Sequence, residues 1–474
     1  MSDFVEPTRR PFPFRLPWLR PDPEEAKSLL SLAIPMTGVS LVNMGMALTD
    51  TVMMGWLGPT ALAAGAVVSD LYSLVFYLAA GTLSIIATFA ARAMGAGDHH
   101  GVRRAARSGF ATALLLLIPA FVLVWWSADL VRLLGVESTI PDLGRGYAHA
   151  MAFTIVPMLI VAVWRSLFGA LGRPRIFLVA TLAALPLNAL ANLVLMFGWG
   201  PVPELGITGA GIASAIVAVA LLSGVTAFSF LDRHLSELRL FLTPWRVSIN
   251  DIREVFRLGL PIGVFTLGEV GVFLVATVVV ALFGTEALAA HAIALRMAGI
   301  VYAIPSGLSQ AATVRVGNAI GAAETGGLDR AMSTAMTVGV ASGFAICLAL
   351  AAGSNIIPGL FVESGQGAWE TAATLLVVLG LFHLAQGIAG PATAILRAFK
   401  DTKVPMQLSL AGFWMIGMPI GVVFGFSLDL GVLGIWCGLG AGVLTSAVLL
   451  TIRLFKQVPG HSADLASSPP LRSA

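Results

Sequence analysis

The sequence predicts an all-α integral membrane protein: twelve transmembrane helices in two pseudo-symmetric six-helix lobes, a parallel repeat around a central cavity. Three observations predict it. Apolar runs near twenty residues recur along the chain, and about twenty helical residues cross the ~30 Å hydrocarbon layer. Charged residues make up only 11% of the 474, against roughly 25% in a soluble domain, so lipid must cover most of the surface. The third is an internal repeat at a nearly constant offset. LAIP ending at Pro35 matches LGLP ending at Pro261, an offset of 226. Without a gap, Gly58, Gly81 and Gly95 then fall on Gly284, Gly307 and Gly321. LGITG near Gly209 resembles LGVLG near Gly434 at an offset of 225.

The apolar runs place helices over 27–53, 60–91, 105–134, 143–170, 174–198 and 205–231, then over 251–283, 286–319, 328–357, 368–399, 402–426 and 430–456. Breakers mark the turns at Gly58-Pro59, Gly172-Arg173-Pro174 and Gly198 through Pro203. The resulting organisation is a tail over 1–25, an N-lobe over 26–231, a linker over 232–250, a C-lobe over 251–457 and a tail over 458–474. Six helices per half is an even number, so both halves enter from the same side, as in parallel transporter repeats.

Positive charge sets the orientation. Arg103, Arg104, Arg107, Arg173, Arg175, Arg233, Arg239, Arg246, Arg253, Arg330, Lys400 and Lys403 fall in one set of connections. The alternate connections hold few, with Arg132 and Arg145 the exceptions. The positive-inside rule therefore puts both termini in the cytoplasm of a bacterial inner membrane. Arg9, Arg10, Arg15 and Arg20 sit among prolines with no apolar stretch beside them, which reads as a cytoplasmic tail and not a signal peptide.

Several classes are excluded. The net charge of +3 reflects topology and does not suggest nucleic acid. Cys347 and Cys437 sit in apolar runs and imply neither a disulfide framework nor a metal cluster. No Walker loop, HExxH, GxSxG or Cys/His ligand spacing is present, so the chain reads as no enzyme and without a cofactor. Transport without a nucleotide site must run on an ion gradient.

Ionisable residues within a membrane are costly, which makes each a functional candidate. Asp50 lies in the first helix and Glu269 in the seventh. The repeat maps Glu269 onto Asn43, two helical turns from Asp50, so the two acids occupy equivalent faces. Coupling-ion binding or protonation is the functional reading; ordinary polar residues near an aqueous end are the alternative. Asn188 and Asn192, at i and i+4 on the fifth helix, either offer carbonyl oxygens to a cation or hold helices together.

Asp70 and Arg296 are related by the same repeat offset and are opposite in charge. They either form an inter-lobe pair or are solvated separately by the cavity. His291 is a proton relay or, more simply, a hydrogen-bonded packing residue. Met46 and Met53, within a cluster with Met44 and Met54, either contact substrate or pack the helix.

These residues carry a resemblance. The first helix, LAIPMTGVSLVNMGMALTDTVMMGWLGPTALAA, the segment GTEALAAHAIALRMAGIVYAIPSGLSQAATVRVGNAIGA and ILRAFKDTKVP near Lys400 resemble motifs of the multidrug and toxic-compound extrusion (MATE) family, NorM-like bacterial branch. LFGALGRPR near Arg173 looks like the first-half counterpart of the last. The resemblance covers about residues 25–455 and implies a V of two lobes that export drugs against a cation. It places Asp50 on the family's first-helix aspartate, Asn188 and Asn192 on N-lobe cation-site positions, and Glu269 on the seventh-helix glutamate. Two departures stand out: the tenth-helix aspartate of the family falls on Gln386, and an eighth-helix asparagine position is Arg296.

The C-lobe thus trades an acid for an amide and gains a cation. Coupling is expected through Asp50, with H⁺ or Na⁺ at Asp50, Asn188 and Asn192. The expected protein is a monomeric antiporter, embedded in the lipid bilayer, that exports amphipathic, often cationic drugs and toxins from the cytoplasm by rocker-type alternating access. A flippase for a lipid-linked saccharide is the alternative, hinted at by Arg296, Arg165 and Arg397. A passive facilitator fits less well with buried acids on symmetric helices.

Overall fold

The structure is a computed structural model that describes residues 21–133, 135, 138–199, 203–232, 247–363 and 367–467. Most of the expected first tail and of the linker over 232–250 lies outside these residues, as does the end of the last tail. Twelve helices among the described residues are long and apolar enough to cross a membrane. They are α1 (Pro23–Trp56), α2 (Pro59–Gly95), α3 (His99–Trp125), α4 (Thr139–Ala170), α5 (Pro174–Phe197), α6 (Gly206–Leu231), α7 (Ile249–Ala281), α8 (Thr285–Gly321), α9 (Gly326–Gly353), α10 (Gly367–Ala398), α11 (Lys403–Ser427) and α12 (Gly431–Gln457). The last helix itself continues to Ser467, beyond the end at 456 that the sequence suggests.

Local chemistry sets the starts and breaks. The Asp22 carboxylate accepts from the backbone N–H groups of Glu24 and Glu25 at 2.9 and 3.1 Å, capping α1, and Pro23 follows at its first turn. Asp98 accepts from Gly101 N at 2.8 Å, which starts α3 at His99, ahead of the apolar run that begins at 105. The stretch read as a continuous third helix to 134 breaks at Trp126 into α3 and a separate turn of helix, Ser127–Leu133. Pro358 likewise cuts α9 short of 357.

The repeat seen in the sequence reappears in the backbone. Gly58 and Gly284 open the first hairpin of each half with φ of 113° and 100°, a region open to glycine and costly for other residues. Pro35 and Pro261 interrupt α1 and α7 at equivalent positions. Two apolar cores form. One is built around Trp164, Phe168 and Tyr147 of α4, the other around Trp436 of α12 with Leu375, Leu376 and Leu379 of α10. Within the second core, α11 and α12 approach closely enough that a Cβ on Gly438 would strike Gly421, and one on Gly417 would reach the Gly438 carbonyl. Two π-helical segments, Ala411–Gly417 and Val423–Ser427, fall on this stretch of α11.

The lobes meet through α1, α2, α7 and α8, and their contacts gather on the half nearest the basic connections. Val255, Leu258, Ile262, Leu308, Ala311 and Ala312 of the C-lobe helices all join the N-lobe core there. Glycines make the close approaches. A Cβ on Gly81 would overlap Gly263, and one on Gly307 would overlap Thr37 and the Ala33 carbonyl.

Ion pairs ring this seam, again by pseudo-symmetry. Glu25 at the start of α1 accepts from Arg315 of α8 at 2.7 Å. Asp251, its counterpart in the repeat at the start of α7, pairs with Arg104 of α3. Arg330, the counterpart of Arg104, reaches Asp22 at 3.8 Å, and Lys400 lies 4.9 Å over the Phe89 ring while paired with Glu254.

Candidate functional site

Asp50 sits less than two turns from the end of α1, where α1 packs along α5. Its Oδ1 accepts two hydrogen bonds, from Asn192 Nδ2 at 2.6 Å and Asn188 Nδ2 at 3.1 Å. The i, i+4 spacing on α5 delivers both amides to one oxygen. Both asparagines are buried, at 2% and 0% exposure, while Asp50 is half-buried. Neither Asn188 Oδ1 nor Asn192 Oδ1 has a protein partner. A buried amide oxygen without a partner carries a desolvation cost that a ligand or water removes. Behind this cluster, Tyr147 of α4, 2% exposed, shares a 2.9 Å hydrogen bond with Ser69 of α2. The sequence does not single out Tyr147 or Ser69, since no local spacing links α4 or α2 to Asp50.

The Asp50 carboxylate is a hard oxygen donor of the kind a small alkali cation takes, and the amide oxygens would join it once the amides turn over, since their nitrogens face it here. The same carboxylate can take a proton instead, with the amides as its hydrogen-bond partners. The donors fit either species.

The C-lobe acid keeps different company. Glu269 Oε2 accepts from Tyr302 Oη of α8 at 3.0 Å. Arg296, the cation expected beside the C-lobe acid, makes no ion pair with it among the described residues; it lies on the face of α8 that it shares with Gly307, three turns on, and Gly307 abuts α1. Gln386, the departing position, is half-buried on α10. Tyr302 was missed because the register of α7 against α8 is a tertiary property.

Asp70 and Arg296 are both exposed and make no ion pair with each other here. Asp70 shares its face with Gly81 as Arg296 does with Gly307, and these glycines abut the opposite lobe. The two charges therefore look across the cleft from opposite walls.

His291 and Met53 do not line that cleft. His291 is fully buried, accepts at Nδ1 from Trp436 Nε1 at 3.1 Å and meets Thr277 Oγ1 with Nε2 at 2.9 Å. Thr277 donates its own proton to the Phe273 carbonyl at 2.9 Å, so Nε2 must carry the imidazole proton and the ring is a neutral packing element. Met53 is 3% exposed, and Met46 is half-buried. Arg165 lines a small pocket with Met36 of α1, Phe177 of α5 and Gln310 of α8, while Arg397 lines another between α7, α10 and α11.

Two lobes of membrane helices, each with an acid in its interior and joined along a glycine-lined seam, have the organisation of a membrane transporter. Comparison with known proteins narrows this. The MatE family model matches residues 35–194 and again 261–423, and the starts of the two matches are separated by the offset of the internal repeat. A relative from Rhizobium meliloti (strain 1021), named Probable multidrug resistance protein NorM, is 35% identical over 94% of this chain and 96% of its own. One of the same name from Agrobacterium fabrum is 34% identical over 90% and 93%. The chain belongs to the MATE family. Among solved structures, the outward-facing conformation of a multidrug resistance MATE family transporter superposes with a TM-score of 0.83 at 19% identity, covering 94% of this chain and 97% of that one. A crystal structure of a eukaryotic MATE transporter gives 0.82 at 20%, covering 93% and 99%.

Proposed function

We propose that the protein is a monomeric cation-coupled antiporter of a bacterial inner membrane, with cytoplasmic termini, that exports amphipathic, often cationic small molecules. The observation that carries this reading is Asp50 held between two amides whose oxygens lack protein partners, in the lobe interior. A carboxylate there binds either the coupling ion or a cationic substrate, and the two uses compete. The names of the relatives supply the substrate class: multidrug resistance proteins.

The seam supports a reading of alternating access. Its contacts lie on the basic half, which is closed, while Asp70 and Arg296 remain exposed toward the opposite face. Rocking the lobes about the middle of α1, α2, α7 and α8 breaks the glycine contacts and ion pairs on one side and brings Asp70 toward Arg296 on the other. Ion binding at Asp50 then biases which state is populated.

The test is efflux of a fluorescent cationic dye from inverted membrane vesicles, comparing a pure pH gradient with a pure Na⁺ gradient. Dye movement driven by either gradient, and lost in the Asp50→Asn variant, supports the reading. Dye movement that persists undiminished in that variant overturns it.

A further inference from the structure

The pocket lined by Arg165 and the pocket lined by Arg397 are one crevice built twice by the internal repeat. Met36 and Val39 of α1 line the first; Ile262 and Phe265 of α7, their counterparts at the offset of 226, line the second. The turns from α4 into α5 and from α10 into α11 correspond at an offset of 228, as from Arg173 to Asp401. Asp401 N donates to the Leu396 carbonyl at 3.0 Å as Arg173 N does to the Phe168 carbonyl at 2.8 Å, and Lys400 and Gly172 just before them share positive φ, 64° and 72°. Pro174 and Phe177 of the first crevice then fall on Thr402 and Pro405 of the second, and Arg165 falls on Thr393, which also lines it. The second crevice regains its guanidinium one helical turn on, at Arg397. The repeat has changed which residue carries the charge and has kept the charge in the crevice.

Neither arginine makes a hydrogen bond or ion pair among the described residues. The charges on the adjoining turns are matched: Arg173 with Asp232 at 3.2 Å beside the first crevice, and Asp401, which lines the second, with Arg453 at 2.8 Å. One cation without a paired acid is left in each. In the second crevice the Thr402 hydroxyl also lacks a partner, on a side chain 5% exposed. The other polar groups there are engaged, Thr393 with the Ala389 carbonyl at 2.8 Å and, in the first crevice, the Gln310 amide with the Ser306 carbonyl at 3.3 Å. One wall of each crevice is the first turn of α5 or α11, where the leading N–H groups have no acceptor within the helix and the helix dipole is positive. Each crevice has room for an occupant about the size of a water molecule.

We propose that each crevice binds one small monovalent anion, chloride being the common ion of that size, on Arg165 in the N-lobe and on Arg397 with Thr402 in the C-lobe. An unpaired charge at membrane depth is costly, and an anion offsets that cost. Guanidinium, hydroxyl and helix N-terminus are all donors. A spherical ion accepts from them without the space that a phosphate group needs. The sites lie apart from Asp50 and go beyond the antiporter reading. Their bearing on Asp50 is positional: the N-lobe anion ties the start of α5 to α1 and α4, and the register of α5 against α1 brings Asn188 and Asn192 to Asp50.

The experiment is equilibrium binding of ³⁶Cl⁻ to the purified full-length protein in lipid nanodiscs, in gluconate buffer. The wild type should show saturable binding that falls by about half in Arg165→Gln, by about half in Arg397→Gln, and vanishes in the double variant. Thr402→Val keeps the shape and removes one donor, so it should weaken one of the two sites several-fold. No saturable ³⁶Cl⁻ binding to the wild type overturns the proposal, since water alone then fills the crevices. So does binding that a well-folded double variant, monodisperse on size exclusion, retains in full. If the glutamine variants cannot be recovered folded, wild type and Thr402→Val decide: saturable binding weakened by the valine upholds the C-lobe site, and binding indifferent to it overturns it. Native mass spectrometry supplies the last arm. An acidic phospholipid held by a wild type that binds no chloride would assign the arginines to a lipid phosphate and overturn the proposal.

Discussion

Gly95 and Gly321, related by the internal repeat, each press against the backbone of the other's helix. A Cβ on Gly95 would overlap the Asn318 carbonyl, and one on Gly321 would overlap the Arg92 carbonyl; Arg92 and Asn318 are themselves counterparts in the repeat. The repeat thus becomes a two-fold crossing of α2 and α8 at the closed end of the seam. Backbone against backbone leaves no flexible side chain to yield, and packed interiors tolerate little added volume.

Gly95→Leu and Gly321→Leu should therefore each prise the basic half of the seam apart without unfolding either lobe. Dye efflux should fall by about tenfold or more, a change of ~1.4 kcal/mol in the balance of states. Cysteine labelling from the basic side at the seam should rise in both variants. Normal labelling and normal efflux in either would show that the crossing gives way easily.

The ion pair between Glu25 and Arg315 is the best buried of those at this seam, at 11% and 30% side-chain exposure. Glu25→Gln should shift the population toward the state open on the basic side. Partial exposure reduces the effect to about 1–2 kcal/mol, roughly a 5–30-fold change in ratio. The charge reversal Glu25→Arg with Arg315→Glu should recover part of the loss. Double electron–electron resonance across the seam reads the populations, and identical distance distributions in wild type and Glu25→Gln would exclude the clasp.

At the N-lobe site, Asp50→Asn should abolish coupled efflux while insertion and yield stay normal, because shape is kept and only charge is removed. Asn188→Ala and Asn192→Ala should each weaken the dependence on the coupling ion more than drug affinity. Removing a hydrogen bond to a charged group costs about 1.5–3 kcal/mol, so roughly tenfold is expected in apparent ion affinity. An ion dependence unchanged in both alanine variants would reduce the amides to packing.

Asp70 and Arg296 face the cleft from opposite walls and are apart in the state described here. If they close on each other when the lobes rock, Asp70→Asn and Arg296→Gln should alter transport in the same direction. The double variant should be milder than the sum, since coupled pairs depart from additivity. Strict additivity over the full cycle would refute the latch.

The sequence by itself determined the membrane class, the twelve spans, the twofold repeat and the four polar residues Asp50, Asn188, Asn192 and Glu269. The reason is that hydropathy, charge placement and a constant offset are one-dimensional, and a membrane permits few ways to fold such a chain. Even the joining of Asn188 to Asn192 was legible, because a single helix fixes it. The tertiary structure decided what each of them meets. That both amides turn to one oxygen of Asp50 depends on the register of α5 against α1. That Glu269 takes Tyr302 depends on how α7 and α8 rotate about their axes. His291 left the cleft for Trp436 for the same reason. Rotation and register between helices come from side-chain packing summed over whole interfaces, which no local spacing records.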